Sequence, residues 1–84
     1  MYKVFIDGKE GTTGLKIFER FAARKDIEIL NISDNLRKDI TERKKLINES
    51  DVTFLCLPDN AAIEAVSLVE NNKVMVFIVD MKHR

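Results

Sequence analysis

Four short apolar runs punctuate the chain, at residues 3–7, 27–32, 52–57 and 74–79. Each reads as a strand, and in the first the consecutive β-prone Val4, Phe5 and Ile6 make both faces apolar, as in a central strand of a parallel sheet. The stretches between them carry apolar residues at helical spacing instead. After the first strand, Leu15, Phe18 and Ala22 share a face with Phe21 beside them, opposite Glu19, Arg20 and Arg24, and Thr12 or Thr13 opens the helix. After the second, Leu36, Ile40 and Ile47, with Leu46 alongside, predict a helix whose outer face is Lys38, Glu42, Lys45 and Glu49. Ser33, Asp34 and Asn35 ahead of it have helix-cap chemistry. Pro58 ends the third strand and Asp59 or Asn60 caps a third helix. Its packing face reads as Ala62, Val66 and Val69, with Ile63 near it, and Asn71-Asn72 ends it.

Strand and helix alternate strictly, so the expected fold class is α/β. The expected architecture is a Rossmann-like parallel sheet of four strands with right-handed crossovers and helices on both faces. Placing the third strand beside the first gives the order 2-1-3-4. The chain then reverses direction across the sheet at the carboxyl ends of strands one and three, where ligands bind in such folds. At 84 residues this is one small domain with a modest core. The strand at 74–79 is an open apolar edge, a feature that pairs with other chains.

Charge changes the picture mainly by exclusion. Fourteen basic and fourteen acidic residues cancel, against a general nucleic-acid or anionic-membrane surface, which needs clustered excess Lys and Arg. One cysteine and one histidine make neither an internal disulfide nor a structural zinc site, and a reducing, cytoplasmic setting fits. The start Met1-Tyr2-Lys3-Val4 lacks a signal-peptide layout, and no apolar run is long enough to span a bilayer.

All three glycines fall within "FIDGKEGTTGLKIF", where Gly8, Gly11 and Gly14 stand three residues apart between the first strand and the first helix. Gly8 suits the tight turn out of the strand, Gly11 leaves room for a phosphate to approach the backbone, and Gly14 lets the helix pack close. The free N–H groups and positive end of that helix make an anion site, to which Thr12 and Thr13 add hydroxyls. The spacing is G-x-x-G-x-x-G, not the commoner G-x-G-x-x-G. A flexible strand-to-helix turn is the plainer alternative.

At the end of the second strand, where an adenine ribose would lie, Ser33 is followed by Arg37 one helical turn onward, with Lys38 beside it. Hydroxyl and arginine suit a 2′-phosphate, hence NADP, although Asp34 would repel one unless turned away. Alternatively Ser33 and Asp34 cap the helix and Arg37 is solvated. Pro58 and the residues after it lie across from the glycines, either lining the ribose and nicotinamide side or simply ending a strand.

Together, "KVFIDGKEGTTGLKIFERF", "DVTFLCLPDNAAIEAV" and the terminal "HR" resemble the start of N-acetyl-γ-glutamyl-phosphate reductase, of the shorter-chain type, over nearly the whole chain. The resemblance implies an NADPH-dependent enzyme of arginine biosynthesis. Such an enzyme reduces a small-molecule acyl phosphate, N-acetyl-γ-glutamyl phosphate, to the semialdehyde through a cysteine thioester. It also implies that Gly8, Gly11, Thr12, Thr13 and Gly14 form the cofactor loop, that Ser33 and Arg37 meet the ribose phosphate, and that Pro58 opens the cofactor-facing loop. Residues 1–84 would then be a partial dinucleotide-binding domain. The catalytic cysteine and histidine, with the domain that carries the substrate site and the subunit contacts of a homo-oligomer, would lie beyond Arg84. The tail "VDMKHR" departs from the family's "IDASTAHR" by two residues fewer between Asp80 and His83.

Cys56, inside the apolar run Phe54-Leu55-Cys56-Leu57, reads as an inert core thiol. His83, next to last, reads as a frayed end. Asp7, Asp51, Asp59 and Asp80 read as strand-end caps. A second function class stands beside the reductase: a non-catalytic α/β module binding a phosphate-containing ligand or a protein partner.

Overall fold

The computed structural model describes residues 2–8, 12–36 and 38–79. The chain runs β1 (Tyr2–Asp7), α1 (Thr12–Ala22), β2 (Ile27–Leu30), a 3-10 turn (Asp34–Leu36), α2 (Ile40–Glu49), β3 (Val52–Leu55), α3 (Asp59–Ser67) and β4 (Met75–Ile78). The strands form one four-stranded sheet in the order β2-β1-β3-β4. All neighbours are parallel, with Val4 opposite both Ile29 and Val52, and Phe54 opposite Phe77. Fold class and strand order are as the alternation of elements predicts.

Two apolar clusters sit on the two faces of the sheet. On one, Phe5 and Leu55 pack with Leu46 and Ile47 of α2 and Ala65 of α3. On the other, Val4, Ile6 and Cys56 pack with Ile17, Phe18 and Phe21 of α1. This second face carries an aromatic row, in which the Phe54 ring lies 5.5 Å from Phe21 and 5.4 Å from Phe77. Fully burying a side chain such as Phe5, Ile47 or Leu55 contributes about 1.5–3 kcal/mol.

The helices differ from expectation in phase. In α1 the stripe facing the sheet is Gly14, Ile17, Phe18 and Phe21, while Leu15 and Ala22 are exposed. In α3 the buried residues are Ala62 and Ala65, whereas Ile63 and Val66 are 71% and 42% exposed. Small alanines let this helix lie directly against the large core side chains, so contact distance overrode hydrophobicity in choosing the face. The second helical run divides. Its first part is the 3-10 turn, and α2 begins only at Ile40, where the Asp39 carboxylate accepts the Glu42 N–H at 3.1 Å. The cap is therefore Asp39, not the Ser33–Asn35 stretch, and Leu36 and Ile40 stay exposed. The cap position of α3 is Pro58, whose carbonyl accepts from the Ala62 N–H at 2.8 Å, in place of Asp59 or Asn60.

Three polar features fasten the frame. Asn48 of α2 donates to the Leu68 carbonyl at 3.0 Å and accepts from the Glu70 and Asn71 N–H groups, tying α2 to the loop after α3. Buried Ser50 and Thr53 share a hydrogen bond of 2.7 Å where α2 passes into β3. Asp51 accepts from the Lys3 N–H at 2.8 Å and braces the start of β1, as a strand-end carboxylate was expected to.

Candidate functional site

The carboxyl edge of the sheet brings together the ends of β1 and β3, and the helices α1 and α3 that follow those strands begin there. Gly8 is its tightest point. It is the one glycine at positive φ, +88°, among the described residues. A Cβ built on it would stand 2.3 Å from the Cys56 carbonyl oxygen. The turn out of β1 therefore requires glycine twice over, by conformation and by space, and the second reason was not visible in the sequence. The Asp7 carbonyl accepts from the Cys56 N–H at 2.9 Å, so β1 and β3 remain joined up to this turn.

Gly14 is buried in the first turn of α1, on the stripe that faces the sheet. Thr12 and Thr13 begin that helix, whose first turn has no acidic residue, so no side-chain charge there opposes an anion. Pro58 is exposed just ahead of α3, two residues beyond the Cys56 carbonyl that Gly8 meets. Ser33 is exposed past the end of β2, with its hydroxyl donating to Asn35 Oδ1 at 2.9 Å. Its carbonyl accepts from the Leu36 N–H at 2.9 Å, so Ser33 belongs to the 3-10 turn. Gly11 and Arg37, with Asp80 and His83, lie outside the described residues.

Among the described residues, a buried charge feature of this edge was missed from the sequence. Arg43 of α2 is buried, and its Nε and Nη2 donate to Asp7 Oδ2 at 3.1 and 2.9 Å. Its Nη1 reaches Glu64 Oε1 of α3 at 3.3 Å. Asp7 is thus one side of a buried ion pair, not a plain strand-end cap. Spacing held the signal, since Arg43 stands three and four residues ahead of Leu46 and Ile47 and so falls on the buried stripe of α2. Cys56 is buried as expected. Burial first, and the nearby Asp7 carboxylate second, push its thiol above the ordinary cysteine range, the opposite of what a nucleophile needs. Among the described residues no cluster of His, Cys, Asp and Glu could hold a metal ion, and no helix is long and apolar enough to cross a membrane.

No family model and no solved structure matches the chain. Curated proteins do. The chain is 51% identical over 82 residues to N-acetyl-gamma-glutamyl-phosphate reductase 2 of a Nostoc species, covering 98% of this chain and 26% of that protein. The N-acetyl-gamma-glutamyl-phosphate reductase of Trichormus variabilis gives the same figures. That of Sinorhizobium medicae is 46% identical over 83 residues, with 98% and 27% covered. The chain is a homologue of N-acetyl-γ-glutamyl-phosphate reductase. It spans about a quarter of the length of the curated reductases it matches. The resemblance carried by the "DG-x-x-GTTGL" and "LCLPD-x-AA" segments is borne out, and in the structure their Gly8 and Cys56 touch.

Proposed function

We propose that this chain is the amino-terminal, dinucleotide-binding part of an NADPH-dependent N-acetyl-γ-glutamyl-phosphate reductase, and that it binds NADP(H) at the carboxyl edge of the sheet. Residues 1–84 form part of the cofactor domain, and the substrate-binding and catalytic domain is not among them. In this reading the main-chain amides of the Gly8–Gly11–Gly14 turn and the start of α1 grip the diphosphate, with Thr12 and Thr13 adding hydroxyls. Ser33 and Arg37 meet the ribose phosphate, and Pro58 opens the loop on the nicotinamide side. The cofactor supplies hydride when bound. The whole enzyme reduces the acyl phosphate N-acetyl-γ-glutamyl phosphate, works in the cytoplasm and assembles as a homo-oligomer.

The observation that carries this reading is the strand–turn–helix at Gly8, with obligatory glycine geometry at the switch point. The 51% identity to a named reductase over nearly the whole chain supports it. The test is a titration of the chain with NADPH and NADH, followed by amide chemical shifts. NADPH is expected to bind more tightly than NADH and to move the signals of Gly11 to Gly14, of Ser33 and of the neighbours of Pro58 together. A folded chain that binds neither at millimolar concentration defeats the proposal. Perturbation confined to the glycine stretch, by phosphate as well as by NADPH, identifies an anion-binding module instead.

A further inference from the structure

We propose that the Asp7–Arg43 ion pair is a positioning device for the glycine turn, kept for geometry and not for stability; its link to the cofactor rests on the function proposed above. Asp7 is held from two sides immediately before Gly8. Its carbonyl accepts from the Cys56 N–H at 2.9 Å, which sets β1 against β3. Its carboxylate takes two donors from Arg43, at 2.9 and 3.1 Å, which sets β1 against α2. Arg43 then reaches Glu64 at 3.3 Å, so the same guanidinium also touches α3. The next residue, Gly8, sits so close to the Cys56 carbonyl that a Cβ has no room. A small tilt of the Asp7 peptide would therefore drive Gly8 into Cys56 or away from it, and would re-aim everything that follows toward α1.

Stability alone does not account for the pair. Both side chains are more than nine-tenths buried, and taking two charges out of water costs most of what their attraction returns. Well-packed apolar replacements of such pairs are often as stable or more so. What apolar residues do not supply is direction. A planar guanidinium with two N–H groups on one carboxylate oxygen defines an angle as well as a distance. Among the described residues the side-chain hydrogen bonds of Arg43 go to Asp7 and Glu64, so it acts on the glycine turn through Asp7.

The test replaces both partners at once in this chain, as Asp7→Leu with Arg43→Met, and reads three quantities. The melting temperature is expected to stay level or rise. The Cys56 amide is expected to exchange with solvent faster, because its acceptor is no longer held. NADPH is expected to bind about tenfold more weakly, the scale of coupling within one polar network. A double variant that keeps Cys56 protected overturns the positioning role. Faster exchange with unaltered NADPH affinity confines the pair to backbone order and overturns its link to the cofactor. If the double variant does not fold, Arg43→Lys keeps the charge and removes the fork. Faster Cys56 exchange and weaker binding are again expected, and an unchanged result on either count overturns the corresponding part. Should the unaltered chain bind no NADPH, the proposed function falls, while the Cys56 exchange still decides the positioning role.

Discussion

Two arginine–aspartate pairs in this chain have the same closest distance, 2.9 Å, in opposite surroundings. Arg43 and Asp7 meet at the carboxyl end of β1 with 8% and 9% of their side chains exposed. Arg24 and Asp26 meet in the turn before β2 with 55% exposed on each side. Distance therefore says little about what a pair does. In the buried pair both ions lie almost wholly out of water, so the cost of a broken pair is large even where the net worth of an intact one is small. In the exposed pair, water and salt replace either partner. The buried site also holds Gly8 and Cys56 in contact, whereas the exposed pair lies within one short turn and joins no separate elements.

The largest effect expected follows from breaking the buried pair on one side. Arg43→Met leaves the Asp7 carboxylate without its guanidinium and should cost about 3–5 kcal/mol in denaturant unfolding. The Asp7→Leu and Arg43→Met double variant recovers that loss in full or exceeds it. Next comes Gly8→Ala. At φ +88° and with 2.3 Å to a backbone oxygen, the added Cβ must displace β3, and about 3 kcal/mol is expected to be lost in the same measurement. A loss below about 0.5 kcal/mol would show that the turn yields easily.

A smaller effect on folding, with a different readout, is expected at the β4 edge. Met75, Phe77 and Ile78 are exposed there, and the isolated chain is expected to self-associate through that open edge. Ile78→Lys should alter stability by no more than about 0.5 kcal/mol and shift the sedimentation profile toward monomer. A monodisperse monomer of the unaltered chain at high concentration refutes this.

The smallest effect belongs to the exposed pair. The hydrogen bond from Arg24 holds the Asp26 carboxyl below the usual carboxylate range. Its contribution is therefore present above that range and disappears as pH falls through the lowered value. Arg24→Met is expected to return Asp26 to ordinary titration by carbonyl NMR, with no measurable change in melting temperature. One molar salt should have the same effect on the unaltered chain.

The buried pair also marks the limit of what could be read in advance. Gly8 was legible as a turn residue because a glycine between an apolar run and an amphipathic one has few other uses. Its contact with the Cys56 carbonyl was not, since it joins positions 48 residues apart in sequence. Arg43 lies on the buried stripe of α2, yet an arginine invites assignment to the solvated face, and the arrival of Asp7, with Glu64 beside it, makes its burial tolerable. Ile63 and Val66 mislead in the opposite sense. Hydrophobicity placed them in or beside the core, but Ala62 and Ala65 hold the closer contact and leave the larger residues outside. The division of the second helix turned on Asp39, whose carboxylate faces a free N–H three residues on.

The sequence by itself determined the order and kind of the elements, the parallel sheet, the glycine turn and the kinship with a reductase. These rest on local periodicity and on residue types in a row, which a chain carries before it folds. Only the tertiary structure decided the phase of each helix, the partner of Asp7 and the closeness of Gly8 to β3. Those depend on which surfaces meet and at what distance, and a buried charge or a missing Cβ acquires its meaning only from the atoms that folding brings against it.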